Sequence, residues 1–213
     1  MRATCEVLVP PRVDRLYFWA LQVSFSDGHR SYGAAHAGLQ WHSRSRRGRA
    51  VNWGGYHDPR DGGGELRGSK PRLPALNPQG NTARYPWRAE VPYRFGVTRS
   101  DVGWRATVTD VSTSESTVIR DVYAEGTYLV DPVVWSEVFA SCDAPSVTVR
   151  WTGLEAVTAS GRLVRPRTAT VTYQERRAGG CANTTVGTDD IGLLQTTNTT
   201  RSVAPGDDLV VPG

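Results

Sequence analysis

From residue 17 onward the chain alternates. Tyr17, Trp19, Leu21, Val23 and Phe25 are apolar, while Gln22 and Ser24 between them are polar. The same rhythm returns at Ala35, Ala37, Leu39 and Trp41, interleaved with His36, Gln40 and His42. A period of two is the side-chain period of a β-strand, and apolar residues on alternate positions mark an antiparallel sheet buried on one face. Similar runs occupy 50–56, 91–99, 104–111, 117–124, 133–142, 147–151 and 168–175. Turn signals about every 8–12 residues, with no sustained helical period, predict an all-β fold: a two-sheet antiparallel sandwich of roughly eight to ten strands. Sequence 1–213 reads as one domain, with a core over about 5–176 and a loop-rich tail over 177–213.

Three stretches break the rhythm. Residues 57–90 are rich in Gly, Pro, Arg and Asn and predict a long loop, unusual inside a compact domain. Residues 154–166 predict a shorter irregular stretch or an edge strand. The tail offers weak β pairs at 191–195 and 209–211 and is expected to wrap the outside or fray.

Composition narrows the class. At 213 residues, 38% hydrophobic and 22% charged, the chain is long and apolar enough for a buried core. No apolar run approaches the ~20 residues of a membrane helix. The net charge of +4 is mild and permits an acidic partner without demanding one. Lys70 is the single lysine against 24 arginines, and Met1 the single methionine, a pattern of high-GC coding rather than of chemistry. The apolar patch Val7-Leu8-Val9 stops at Pro10, short of the ~7–15 apolar residues of a secretory leader. That fits a cytoplasmic protein, or an exported one whose leader has been removed. Four arginines crowd the predicted hairpin tip 44–49, but Trp41 and Trp53 beside it are predicted to point inward, so stacking on nucleic-acid bases is not expected.

If the strands starting at 17, 35 and 50 are neighbours, one face collects Gln22, His36, Gln40, His42, Asn52 and Tyr56. Amides and imidazoles beside an aromatic platform suit a carbohydrate-like ligand, small molecule or polysaccharide. Gln22, Gln40, Asn52, Tyr56 and Trp135 are the expected contacts, with loop 57–90 as a rim; the plainer reading is a solvated sheet face. The alternative is an enzyme, glycosidase- or lyase-like or acting on a small metabolite. Alternation puts Glu137 between Trp135 and Phe139, where desolvation raises a carboxyl pKa and suits acid/base work, with His36 or His42 assisting. Sugar cleavage needs a second carboxylate, for which Asp58, Asp61, Glu65 and Asp110 are candidates; the structural reading pairs Glu137 with an arginine such as Arg94. A structural or partner-binding module is a third option.

No cofactor is expected beyond calcium, for which Asp58, Asp61 and Glu65 are weak oxygen ligands without EF-hand spacing. His36 and His42 lie ~20 Å apart along one strand, too far to share a metal. No GxSxG elbow is present. Cys142 and Cys181 either form a bridge, worth about 4 kcal/mol in the chain-entropy model, or remain two buried thiols. Oligomeric state is not set by the sequence.

The strings Tyr17-Phe18-Trp19-Ala20-Leu21-Gln22, Gly38-Leu39-Gln40-Trp41, Val51-Asn52-Trp53-Gly54-Gly55-Tyr56 and Trp135-Ser136-Glu137-Val138-Phe139, followed by Cys142 and Gly180-Cys181-Ala182-Asn183-Thr184, resemble a group of uncharacterised actinomycete domains. The resemblance spans 15–200 and implies a concanavalin-like or jelly-roll sandwich; it assigns no chemistry.

Overall fold

The computed structural model describes residues 1–42 and 48–212, with His42 described for its backbone only. Arg44, Arg46 and Arg47 of the predicted hairpin tip therefore lie outside the described residues. Two antiparallel sheets face each other, as the alternation predicts. The smaller sheet contains β2 (Tyr17–Ser26), β3 (Ser31–His42), β4 (Gly48–Tyr56), β5 (Thr82–Arg84) and β9 (Tyr128–Val138), in the order β5-β4-β3-β2-β9. The larger contains β1 (Arg2–Val9), β6 (Pro92–Ser100), β7 (Gly103–Asp110), β8 (Glu115–Val122), β10 (Thr148–Val157), β13 (Thr185–Thr188) and β14 (Leu193–Thr196), in the order β13-β14-β10-β1-β6-β7-β8, with β11 (Leu163–Val164) added to β10. A ribbon of β12 (Thr168–Thr170) and β15 (Asp208–Val210) stands apart.

The core is the sum of the two inward faces. Trp19, Leu21 and Phe25 of β2, Leu39 of β3 and Trp53 of β4 meet Phe95 of β6, Trp104 of β7 and Trp151 of β10. The Trp53 indole donates to the Trp104 carbonyl across the gap at 3.0 Å, so a ring buried in the core keeps its N–H satisfied.

Segment 57–90 is not a free loop. Leu66 N–H bonds the Gly55 carbonyl on β4, while Ser69 N–H and Arg72 N–H bond Asp121 and Ile119 carbonyls on β8. β5 pairs with β4, and Trp87 drives into the core with its indole on the Gln40 carbonyl at 2.9 Å. The segment straps β4 to β8 and closes one side of the sandwich.

The tail likewise differs from a fraying wrap. β13 and β14 extend the larger sheet beyond β10. A disulfide joins Cys142, just past β9, to Cys181. Gln195 of β14 couples the sheets: it accepts from Ser136 and from the Trp151 indole, and donates to the Val134 carbonyl at 3.0 Å. Cys5 is a buried free thiol, its pKa pushed up first by burial and then by Glu6.

Candidate functional site

Strand register fixes which side chains share the outer face of the smaller sheet. Ala50, Gln40, Phe18 and Glu137 form one cross-strand row; Asn52, Gly38, Ala20 and Trp135 form the next; Gly54, His36, Gln22 and Val133 the third. The face therefore collects the residues that the alternation put there. Neighbouring strands lie ≈ 4.8 Å apart, so Gln40 and Glu137, two strands apart, have Cα atoms about 10 Å apart with Phe18 between them. The Phe18 ring itself is buried under His36 and Trp135, and Gln40 and Glu137 flank it on either side.

Glu137 is exposed overall, yet protein packed around it raises its pKa above the ordinary 4.5, with desolvation as the cause. Among the described residues it makes no ion pair and no hydrogen bond. Arg94, the expected partner in a structural role, sits on β6 of the other sheet opposite Thr4 and Thr109. Glu137 lines a cleft of about 1270 Å³ that opens between β9 and the 168–174 segment, with the Cys142–Cys181 bridge on its wall; Gln40 lies outside that lining. The strap closes one side of the sandwich, and the opposite side carries this cleft.

Of the remaining polar groups of the face, Gln22 and Asn52 are engaged within the protein. Gln40 is only 7% exposed. Asn52 is buried and donates to Thr82 at 2.9 Å, leaving its own side-chain oxygen without a partner among the described residues. Gln22 accepts from the Trp135 indole at 3.2 Å. Tyr56, at 59% exposure, lies beyond the third row, opposite Ala34.

The structure does not bring His36 to Glu137. Their rows are four residues apart along β2, about 13 Å at strand rise. His36 instead packs edge-on against Phe18 and Trp135, at 5.3 and 5.6 Å between ring centroids. Burial pushes its pKa down to about 4. The backbone of His42 pairs with Gly48, one step past the Gln40 row.

Because the unfolded chain takes up the His36 proton near 6.5 and the folded one near 4, stability is expected to fall as pH drops through that window and to level off below it. A shift of that size corresponds to about 2–4 kcal/mol. Urea unfolding at stepped pH checks it: His36→Leu is expected to flatten the slope, and an unchanged slope in that variant refutes the assignment.

The other candidate carboxylates are dispersed. Asp58 pairs with Arg60, Asp61 with Arg30, and Asp110 with Arg88. Glu65 accepts from Asn81, which in turn accepts from Asn77. Asp58, Asp61 and Glu65 do not gather as an oxygen cage, and no group of three or more His, Cys, Asp or Glu side chains suited to a metal occurs among the described residues.

A scan of family models finds no match, and a search of curated proteins finds none. Among solved structures, SCP-B, a member of the Eqolisin family of peptidases in complex with the tripeptide Ala-Ile-His, is similar at 11% identity and TM-score 0.39, covering 93% of this chain and 90% of that one. Two structures of scytalido-glutamic peptidase with transition-state analogues are similar at 11% and 10% identity and TM-scores of 0.35 and 0.34, each covering 93% of this chain and 91% of the other. Overlap this loose transfers no residue role, and the site stands on this chain's own geometry.

Proposed function

We propose that the chain is a hydrolase that cleaves an acyl bond, an amide in an extended substrate, on the outer face of the smaller sheet. The observation that carries this reading is the Glu137 carboxyl: partnerless among the described residues, raised in pKa by its surroundings, lining a cleft and in one row with the Gln40 amide. Glu137 takes a proton from water as the water oxygen bonds to the carbonyl carbon. Gln40 Nε2–H donates to the oxygen that becomes negative. Glu137 then passes the proton to the leaving nitrogen as the carbon–nitrogen bond breaks. Trp135 and Phe139 flank the carboxyl and supply apolar surface for substrate.

Glycoside cleavage is supported less well, because among the described residues no second carboxylate stands on this face: Asp58, Asp61 and Asp110 are each held by an arginine, and Glu65 by Asn81. A sugar-binding face is also supported less well, since Gln22 and Asn52 spend hydrogen bonds within the protein. The Cys142–Cys181 bridge supports an oxidising compartment.

The test is digestion of fluorescein-labelled casein across acid and neutral pH. The expected result is cleavage by the wild type and a loss of about 10²–10³-fold in kcat for Gln40→Ala, the scale of removing one oxyanion donor. A wild type without activity at any pH, or Gln40→Ala with unchanged kcat, overturns the reading.

A further inference from the structure

Away from the cleft, a cation is buried where a solvated β face would ordinarily end. Arg120 of β8 is 2% exposed. It faces inward because β8 carries an extra residue: Ala106 pairs with Arg120 and Thr107 with Val118, so Ile119 is the bulge. A bulge of this kind re-aims a side chain that strict alternation would place elsewhere.

The guanidinium has little to hold it. Among the described residues, one of its five N–H donors reaches a protein acceptor, Nη1 to the Gln79 carbonyl at 2.7 Å, and Nε is buried without a partner. No carboxylate pairs with it among the described residues; Glu65 acts on it at longer range and is itself engaged by Asn81. A buried charge so incompletely compensated costs several kcal/mol.

Two glycines let the strap close over it. A Cβ on Gly68 would lie 2.3 Å from Arg120 Nη2 and 2.4 Å from the Asp121 carbonyl, so a side chain is excluded there. Gly80 has φ +69° and its Cβ position is 3.6 Å from Nη1. Both glycines line a pocket of about 470 Å³, together with Ser69, Lys70, Pro71 and Pro78. The volume suits a small ligand. No carboxylate is in the lining, and Lys70, the chain's single lysine, is.

We propose that this pocket is an anion site for a small molecule bearing a phosphate or carboxylate group, drawn by Arg120 beneath the Gly68–Gly80 floor and by Lys70 at the rim. Arg120 does not itself line the pocket and acts on the ligand through its field across the glycine floor, which couples binding to the strap that joins β4 to β8. The site is independent of the proposed hydrolase chemistry.

The test is an NMR titration of the intact chain with inorganic phosphate and, separately, acetate, at constant ionic strength. Saturable shifts are expected at the Gly68 and Gly80 amides and the Arg120 Nε–H, with a dissociation constant tighter than about 10 mM. Lys70→Ala is expected to weaken binding about threefold or more, and Arg120→Gln to abolish it. Saturation by phosphate alone assigns a phosphate ligand, and by acetate alone a carboxylate. If Arg120→Gln does not fold, Lys70→Ala decides. Absence of saturation with both anions, or equal affinity in Lys70→Ala and wild type, overturns the proposal.

Discussion

Glu137→Gln is expected to slow cleavage of an amide substrate by about 10²–10⁴-fold, the range attributed to a positioned acid/base group. Its unfolding midpoint in urea is expected to match the wild type, because an exposed side chain with no partner contributes within about 0.5 kcal/mol. The pH profile gives the second readout. Glu137 must be ionised to take a proton from water, so kcat/KM falls as pH drops through its pKa. That pKa is raised by desolvation, and the acid limb is therefore expected above the ordinary carboxylate value of 4.5. His36, with its pKa pushed down to about 4, titrates in the same acid range from a separate row, and His36→Leu is expected to leave the limb in place. A Glu137→Gln enzyme with full activity, or a limb that moves in His36→Leu, assigns the chemistry to another group.

The elements that alternate were legible. β2 and β3 carry large apolar residues at every second position, and a strand so patterned can bury one face only. β1 was not read as a strand, although it lies at the centre of the larger sheet between β10 and β6. Its inward residues Ala3, Cys5 and Val7 are small, and Thr4 and Leu8 between them give a weak contrast. β10 was cut short at Trp151 for a different reason. Gly153 adopts φ +57°, and the pairing with β1 slips there, from Thr4 opposite Thr152 to Arg2 opposite Glu155. A glycine in the left-handed region reads as a strand end in sequence, whereas here it is a bulge within a continuous strand.

Half of the site was legible and half was not. Alternation singled out Glu137 beside Trp135 because that relation is local. The relation of Glu137 to Gln40 passes through Phe18 and depends on β2 lying between β3 and β9, a long-range pairing that no spacing reports. The same pairing separates His36 from Glu137. The strap was misread because its Gly and Pro content signals flexibility locally, while its anchors, Leu66 and Trp87 in the core and the bonds to Asp121 and Ile119, are set by distant strands.

Those anchors make Trp87 the residue where fold and site meet. Its ring packs against Trp19 at 5.8 Å and Trp41 at 6.4 Å, lies under the Arg49 guanidinium, and donates to the backbone carbonyl of Gln40. Trp87→Ala removes a fully buried ring and is expected to cost about 3–5 kcal/mol, from lost apolar transfer and from the cavity that remains. Trp87→Phe keeps most of the volume and leaves the Gln40 carbonyl without its donor, which costs about 1–3 kcal/mol. The two variants separate packing from positioning. Urea unfolding is expected to rank them Ala below Phe below wild type. If the indole bond holds the Gln40 strand in place for catalysis, the folded Phe variant loses kcat while KM stays near wild type, since the donor to the developing oxyanion is displaced and the substrate surface at Trp135 is not. A Phe variant destabilised as expected but with wild-type kcat confines Trp87 to the core.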